Sequence, residues 1–372
     1  MSRRILILGI GSAQWDLFEY CRERQFEVHA CSSTDCGLAR KLADRFAQID
    51  IADVEAIRRY AEASEVDLIY SVGSDLAMPT ACRVSEDLGL PTLVSAEAAL
   101  ACNQKPRLRA LLGPAFDGNL EFRAGQSVDD VRPARFPVMM KPADAQGQRG
   151  VRRVDSAAEL EAHFETCRSF SRTGNVIVER YVEGPEISVN TYSIDGQIAF
   201  ALVSDRISWP DLPGGIIHEH RFPSAWGEGA VGDAVLDLVA RTLAALGVRE
   251  GPAYFQICIK DGHPWLLEVT PRLDGCHLWR LIRYAIGVDL LDATLRHLQG
   301  EAVSGLLGAD PKPAPMRLEF LCEAPGVPMN RARWRLSAPL YHQWYYEDEE
   351  MIRPINGYFE KCGYHISRFP AG

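Results

Sequence analysis

Gln256, Glu268, Thr270 and Arg272 stand closest together among the residues of this chain whose types suggest chemistry, in the stretch QICIKDGHPWLLEVTPR. A carboxylate and a carboxamide oxygen presented side by side suit a hard cation such as Mg²⁺. Thr270 adds a hydroxyl, and Arg272, two residues on, points toward the same space. Two apolar, β-branched runs, Ala253 to Ile259 and Pro264 to Val269, flank Lys260-Asp261-Gly262 and read as a β-hairpin. Side chains alternate along a strand, so Gln256 and Glu268 share a face only if the loop count is odd. The expectation is a three-residue turn closed by a bulged Gly262, with the two donors a direct or diagonal pair about 4.5 to 8 Å apart. The plainer alternative is an edge ribbon carrying a solvated glutamate.

Other candidates sit on elements upstream. Lys141 ends the apolar strand FPVMMK, and the loop Pro142 to Val151 that follows, with Gly147 and Gly150, is polar and well placed as a phosphate lid. Strand Asn175 to Tyr181 comes next, then an antiparallel pair, Ile187 to Ile194 and Ile198 to Val203, turning at Asp195-Gly196. Earlier, the strands Arg4 to Leu8, Phe26 to Ala30 and Asp67 to Val72 alternate with helical segments, including Ile51 to Ala63, which predicts a Rossmann-like parallel sheet. Asp75 is a candidate cap for the next helix. Ser95 is expected to cap one long helix, SAEAALACNQKPRLRALLG, carrying Lys105, Arg107 and Arg109, and His277 to Leu298 a further one. Gly9-x-Gly11 lacks the third glycine of a dinucleotide fingerprint, which favours a structural turn over NAD binding. The fold class expected is α/β and α+β: a Rossmann-like domain over 1–112, a lid subdomain over 113–187, a larger subdomain with the metal site over 188–300, and a C-terminal extension over 301–372.

The chain has 372 residues, 47% hydrophobic and 24% charged, with a formal net charge of −10. That charge argues against nucleic-acid binding, and no run is long and apolar enough to span a bilayer. The opening apolar run is brief and continues as a strand, which argues against a signal peptide. Ten scattered cysteines fit buried thiols in a reducing cytoplasm. An anionic ligand therefore has to meet local positive charge and a metal.

The order of these stations resembles the ATP-grasp superfamily over nearly the whole chain, in the segments GSDLAMP, NQKPRLR, FPVMMKPADAQGQRGV, VIVERYVEGPEISV and LLEVTPR. The nearest likeness is to stand-alone proteins similar to the carbamoyl phosphate synthetase large subunit and biotin carboxylase. The resemblance implies ATP with Mg²⁺ or Mn²⁺, nucleotide contacts from Lys105, Lys141 and the lid residues Gln146, Gly147 and Gly150, and a hinge of Glu179, Arg180, Tyr181 and Val182 beside adenine. Glu186 is implied for the ribose, with Glu183 a near-equal rival. Gln256, Glu268 and Thr270 are implied as metal ligands, the threonine replacing a usual asparagine. Arg272 and Lys141 are implied in catalysis, Arg272 on the transferred phosphate or acyl phosphate.

The implied reaction is ligation: a carboxylate is activated as an acyl phosphate and coupled to an amine, releasing ADP and phosphate, with small-molecule partners and, by family habit, a homodimer. Alternatives are carboxylation or carbamoylation through carboxyphosphate, a nucleotide-binding module without turnover, and a nicotinamide oxidoreductase. Substrate contacts are expected from Arg206 to His220, with Arg206, Gly214, Gly215 and His218 foremost and Trp209 as an apolar wall, plus Asp274, Cys276 and His277. A zinc site at His218-Glu219-His220 is disfavoured, since two histidines lack a third ligand. A histidine here could serve as general base toward the amine.

Overall fold

A computed structural model describes residues 3–368 apart from 146, 211, 213–214, 309–312, 337–338 and 356. Four short strands, β1 (Arg4–Leu8), β2 (Glu27–Ser32), β3 (Arg45–Gln48) and β4 (Leu68–Tyr70), form a parallel sheet in the order β3-β2-β1-β4. β1 is central because RILIL is apolar on both faces: Ile5 and Ile7 enter one core with Leu17 and Phe18, while Leu6 and Leu8 enter another with Ile57 and Ala81. The expected helix after β2 is shorter, Val54–Ala63, because Asp53 caps it, accepting from the Ala56 amide at 3.0 Å.

The second sheet is antiparallel and small. Strands β5 (Phe122–Gly125), β6 (Val138–Pro142), β7 (Arg152–Val154) and β8 (Val176–Arg180) lie in the order β5-β8-β6-β7. Helix Ala157–Arg168 packs on it through Leu160 and Phe164, which share a core with Val138, Met140 and Val178.

The third sheet has eight strands, β9 (Glu186–Ile194), β10 (Gln197–Ser208), β11 (Ile217–Phe222), β12 (Gly251–Lys260), β13 (His263–Thr270), β14 (Met316–Glu323), β15 (Tyr341–Trp344) and β16 (Glu360–Arg368). Their order is β13-β12-β9-β10-β11-β14-β16-β15. Phe255 and Ile257 of β12 join Leu238 and Leu291, from helices Gly229–Leu246 and Leu290–Leu298, in one core. The parallel-then-antiparallel plan read from the sequence is the plan of the molecule.

Two expected long helices are each broken. The first becomes Ala96–Asn103 and Lys105–Leu112 around an extended Gln104, because Pro106 lacks an amide donor and fits only in the first turn of a new helix. Lys105 thereby opens a helix instead of riding inside one. The second splits into Leu278–Ile286 and Leu290–Leu298 at Gly287, which takes a left-handed φ of 77°. Asp75 is not a cap: the Ser74 hydroxyl accepts the Ala77 amide at 3.2 Å. Among the described residues no helix is long and apolar enough to cross a membrane.

Candidate active site

The hairpin turns on two residues, not three. Lys260 pairs with His263, and Asp261 and Gly262 both take left-handed φ, 53° and 75°, as an Asp-Gly reversal favours. The odd count comes from elsewhere: Ile257 pairs with Leu266 but Gln256 pairs with Glu268, so Leu267 is the extra residue of a bulge in β13. Gln256 and Glu268 are therefore direct cross-strand partners, and Leu267 and Glu268 both line the cleft.

That cleft, about 530 Å³, lies among all three sheets. Lys105, Lys141, Gly147, Gln148, Arg180, Tyr181, Val182, Glu186, Arg206, Gln256, Glu268, Thr270 and Arg272 all border it. Four of its cations already hold carboxylates. The Lys141 ammonium lies 2.6 Å from Glu179, Arg272 is 2.5 Å from Asp75, Arg206 is 2.8 Å from Glu186, and Lys105 is 3.8 Å from Glu268. Lys105 also donates to the Ala145 carbonyl at 3.0 Å, tying the helix start to the lid loop.

Glu179 is fully buried, and Arg109 reaches it at 2.6 Å from the other side. Burial alone would raise its pKa, but Arg109 and Lys141 overcome that and hold it at about 2. Its carboxylate is thus an internal anchor for Lys141. Arg109, which the sequence reading gave no role, also bonds Asn119 and the Leu267 carbonyl, so one guanidinium joins helix, lid and hairpin. Its signal was its spacing, four residues from Lys105 and so on the same helix face. Asp75 was likewise missed as a site residue. Burial opposes its charge, yet Arg272, the Thr270 hydroxyl and Lys105 keep its pKa lowered.

The donor set suits a hard cation of low protein coordination. The Gln256 amide donates to Glu186 at 2.7 Å, which leaves its carbonyl oxygen as the remaining acceptor beside the Glu268 carboxylate. Among the described residues no three His, Cys, Asp or Glu side chains gather to hold a metal. One carboxylate and one amide oxygen fit Mg²⁺, which keeps several waters and phosphate oxygens. Thr270 is buried with its hydroxyl committed to Asp75, which makes it the weakest of the three expected ligands.

Other expected residues scatter. Gln146 and Gly214 lie outside the described residues. Gly150 lies beneath Phe170, where a Cβ would come within 2.8 Å of the ring, and not on the cleft wall. Glu183 is exposed while Glu186 faces the cleft. Gly215 offers its carbonyl to Arg206 at 3.1 Å, to Ser208 at 3.1 Å and to the lid residue Gln148. His218 instead stacks on Trp209 at 3.9 Å and meets Glu319 at 3.4 Å, and Trp209 also abuts Phe359, so neither walls the cleft. Asp274 is a buried turn-former that accepts the Cys276 and Leu278 amides at 3.0 and 3.1 Å; burial raises its pKa to about 6. His277 is buried between Asp16 and Tyr345, away from the cleft that Cys276 borders. At Gly9-x-Gly11 the side chain of Gln14 fills the turn: its oxygen takes the Gly11 amide at 2.8 Å and its nitrogen the Val72 carbonyl, which occupies the space a pyrophosphate would need.

Residues 134–278 match the model of the ATP-grasp domain. An ATP-grasp enzyme of Aspergillus fumigatus, fsqD, is 22% identical over 56% of this chain and 42% of its own length. The carbamoyl phosphate synthase large chain of Gemmatimonas aurantiaca is 26% identical over 81% of this chain and 29% of its own. The chain thus spans less than half the length of such curated relatives. The crystal structure of L-amino acid ligase from Bacillus licheniformis superposes with a TM-score of 0.78 at 18% identity, covering 98% of this chain and 93% of that one. The sequence match thus assigns an ATP-grasp domain to residues 134–278, in a chain that is similar in sequence to the carbamoyl phosphate synthase large chain and in fold to the L-amino acid ligase.

Proposed function

We propose that the protein is an ADP-forming ligase that activates a carboxylate as an acyl phosphate and couples it to an amine. The observation that carries this reading is the convergence of Lys105, Lys141, Gln256, Glu268 and Arg272 on one cleft between the lid sheet and the large sheet. Lys105 and Lys141 bind the ATP phosphates, the main chain at Arg180 to Val182 receives adenine, and Glu186 takes the ribose. Gln256 and Glu268 hold Mg²⁺, which offsets negative charge on the phosphates when bound. A substrate carboxylate oxygen attacks the γ-phosphorus and ADP departs. The amine then attacks the acyl carbon, phosphate departs, and the amine's proton passes to a base. Arg272 steadies the acyl phosphate by charge-assisted hydrogen bonds. The names of relatives such as L-amino acid ligase and human carnosine synthase 1 support amide formation.

The divisions near 112 and 187 are supported by the three sheets, whereas β14 to β16, beyond 300, extend the sheet of the larger subdomain. The unlinked thiols of the described cysteines support a cytoplasmic setting, and light scattering would test the homodimer. A phosphate-release screen of amino acids and small carboxylates, singly and in pairs with amines, tests the reaction. Acid-dependent release that Lys141→Ala and Glu268→Ala each reduce by about 10²-fold or more is expected; release needing bicarbonate alone, or none with any pair, would end this reading.

A further inference from the structure

Of the cations lining the cleft, Lys361 has a distinctive setting. Lys105, Lys141, Arg206 and Arg272 each hold a carboxylate, Arg149 belongs to the lid loop and has an interaction of its own, and Arg180, at the hinge, lies 4.7 Å over the Trp265 ring. Lys361, from β16, meets no carboxylate within ion-pair distance among the described residues. Its ammonium lies 3.8 Å over the Phe320 ring and 3.7 Å from the Cys276 sulfur. Charges of both signs stand near it, and Glu186 on that side is already engaged by Arg206 at 2.8 Å. Arg206 is buried nearby, and His220 is fully buried with neither ring nitrogen hydrogen-bonded, held neutral by burial and by the charges of Arg206 and Lys361. A partly buried ammonium without an anion, opening on a cleft, is a seat for an anion that arrives with a ligand.

We propose that Lys361 binds a carboxylate group of the small-molecule substrate at the Cys276 side of the cleft, making β16 part of the acid-recognition wall. The inference rests on the ligase reading for its substrate but not for its anion site. The site favours acids with a second carboxylate, such as dicarboxylates or acidic amino acids, over bicarbonate, formate or monocarboxylic amino acids, whose single carboxyl group the phosphoryl transfer consumes.

Cys276 serves as a reporter, because its sulfur lies beside the ammonium and its side chain borders the cleft. At mildly alkaline pH the protein is alkylated with iodoacetate or with neutral iodoacetamide, and peptide mass spectrometry gives the rate ratio at Cys276 relative to glutathione in the same mixture. The wild type should prefer iodoacetate about tenfold, Lys361→Arg should keep the preference, and Lys361→Met should abolish it. A ratio equal to that of glutathione in the wild type, a preference that survives Lys361→Met, or a Cys276 that reacts with neither reagent overturns the proposal. In the phosphate-release assay Lys361→Met should raise KM for the organic acid about tenfold with KM for ATP unchanged. Should the screen find no turnover at all, the ligase reading fails while the alkylation ratio still decides the anion site.

Discussion

Glu179 illustrates how the cleft's chemistry depends on a fully buried carboxylate. Its carboxylate fixes Lys141 on one side and Arg109 on the other at 2.6 Å each. Removing it strands a buried guanidinium, so Glu179→Gln should lower stability by about 3–5 kcal/mol in urea denaturation. The pH dependence has a definite sign. The folded pKa is depressed to about 2 from an ordinary 4.5, so the stabilisation is complete above the unfolded value and disappears as pH falls through that interval. Denaturation curves of wild type and variant should therefore converge between about pH 4.5 and 2; a gap that stays constant would show that the ion pair contributes nothing. Residue types and order made Lys141, Gln256 and Glu268 legible in the sequence. The partners were not: Asp75 and Arg272 are 197 positions apart, and Arg109 and Glu179 are 70 apart. Such pairs follow from how sheets are stacked, which local pattern does not encode.

At the scale of elements, the hairpin shows the same division. Alternation required an irregularity between Gln256 and Glu268, and the sequence reading put it at the glycine. It occurs at Leu267, which has no glycine or proline to mark it, because Asp-Gly is satisfied by a two-residue reversal and the bulge is set by what β13 must present to the cleft. The connector between β8 and β9 depends on a close approach instead. A Cβ on Gly184 would fall 2.0 Å from the Ile259 carbonyl oxygen of β12. Gly184→Ala must push the lid connector off the large sheet, at about 1–3 kcal/mol. The expected outcome is a lower melting temperature together with weaker Mg-ATP binding by calorimetry. Loss of stability with unchanged affinity would mean that the connector does not set the lid's position.

Across the whole molecule, the lid reaches the large sheet through the Gln148 amide on the Gly215 carbonyl. Gln148→Ala should leave the fold intact, raise KM for ATP severalfold, and speed amide hydrogen exchange at residues 147–151 in the nucleotide complex. Unchanged exchange would show that this contact does not hold the lid. The same oxygen also receives Arg206 and Ser208, yet a carbonyl has only two lone pairs. Three donors thus compete for two places. A ligand that draws the Arg206 guanidinium toward itself vacates one and eases capture by Gln148. By thermodynamic reciprocity, a shut lid then tightens that ligand by the same factor. A ligand on Arg206 and closure of the lid would thereby be linked through a single peptide oxygen.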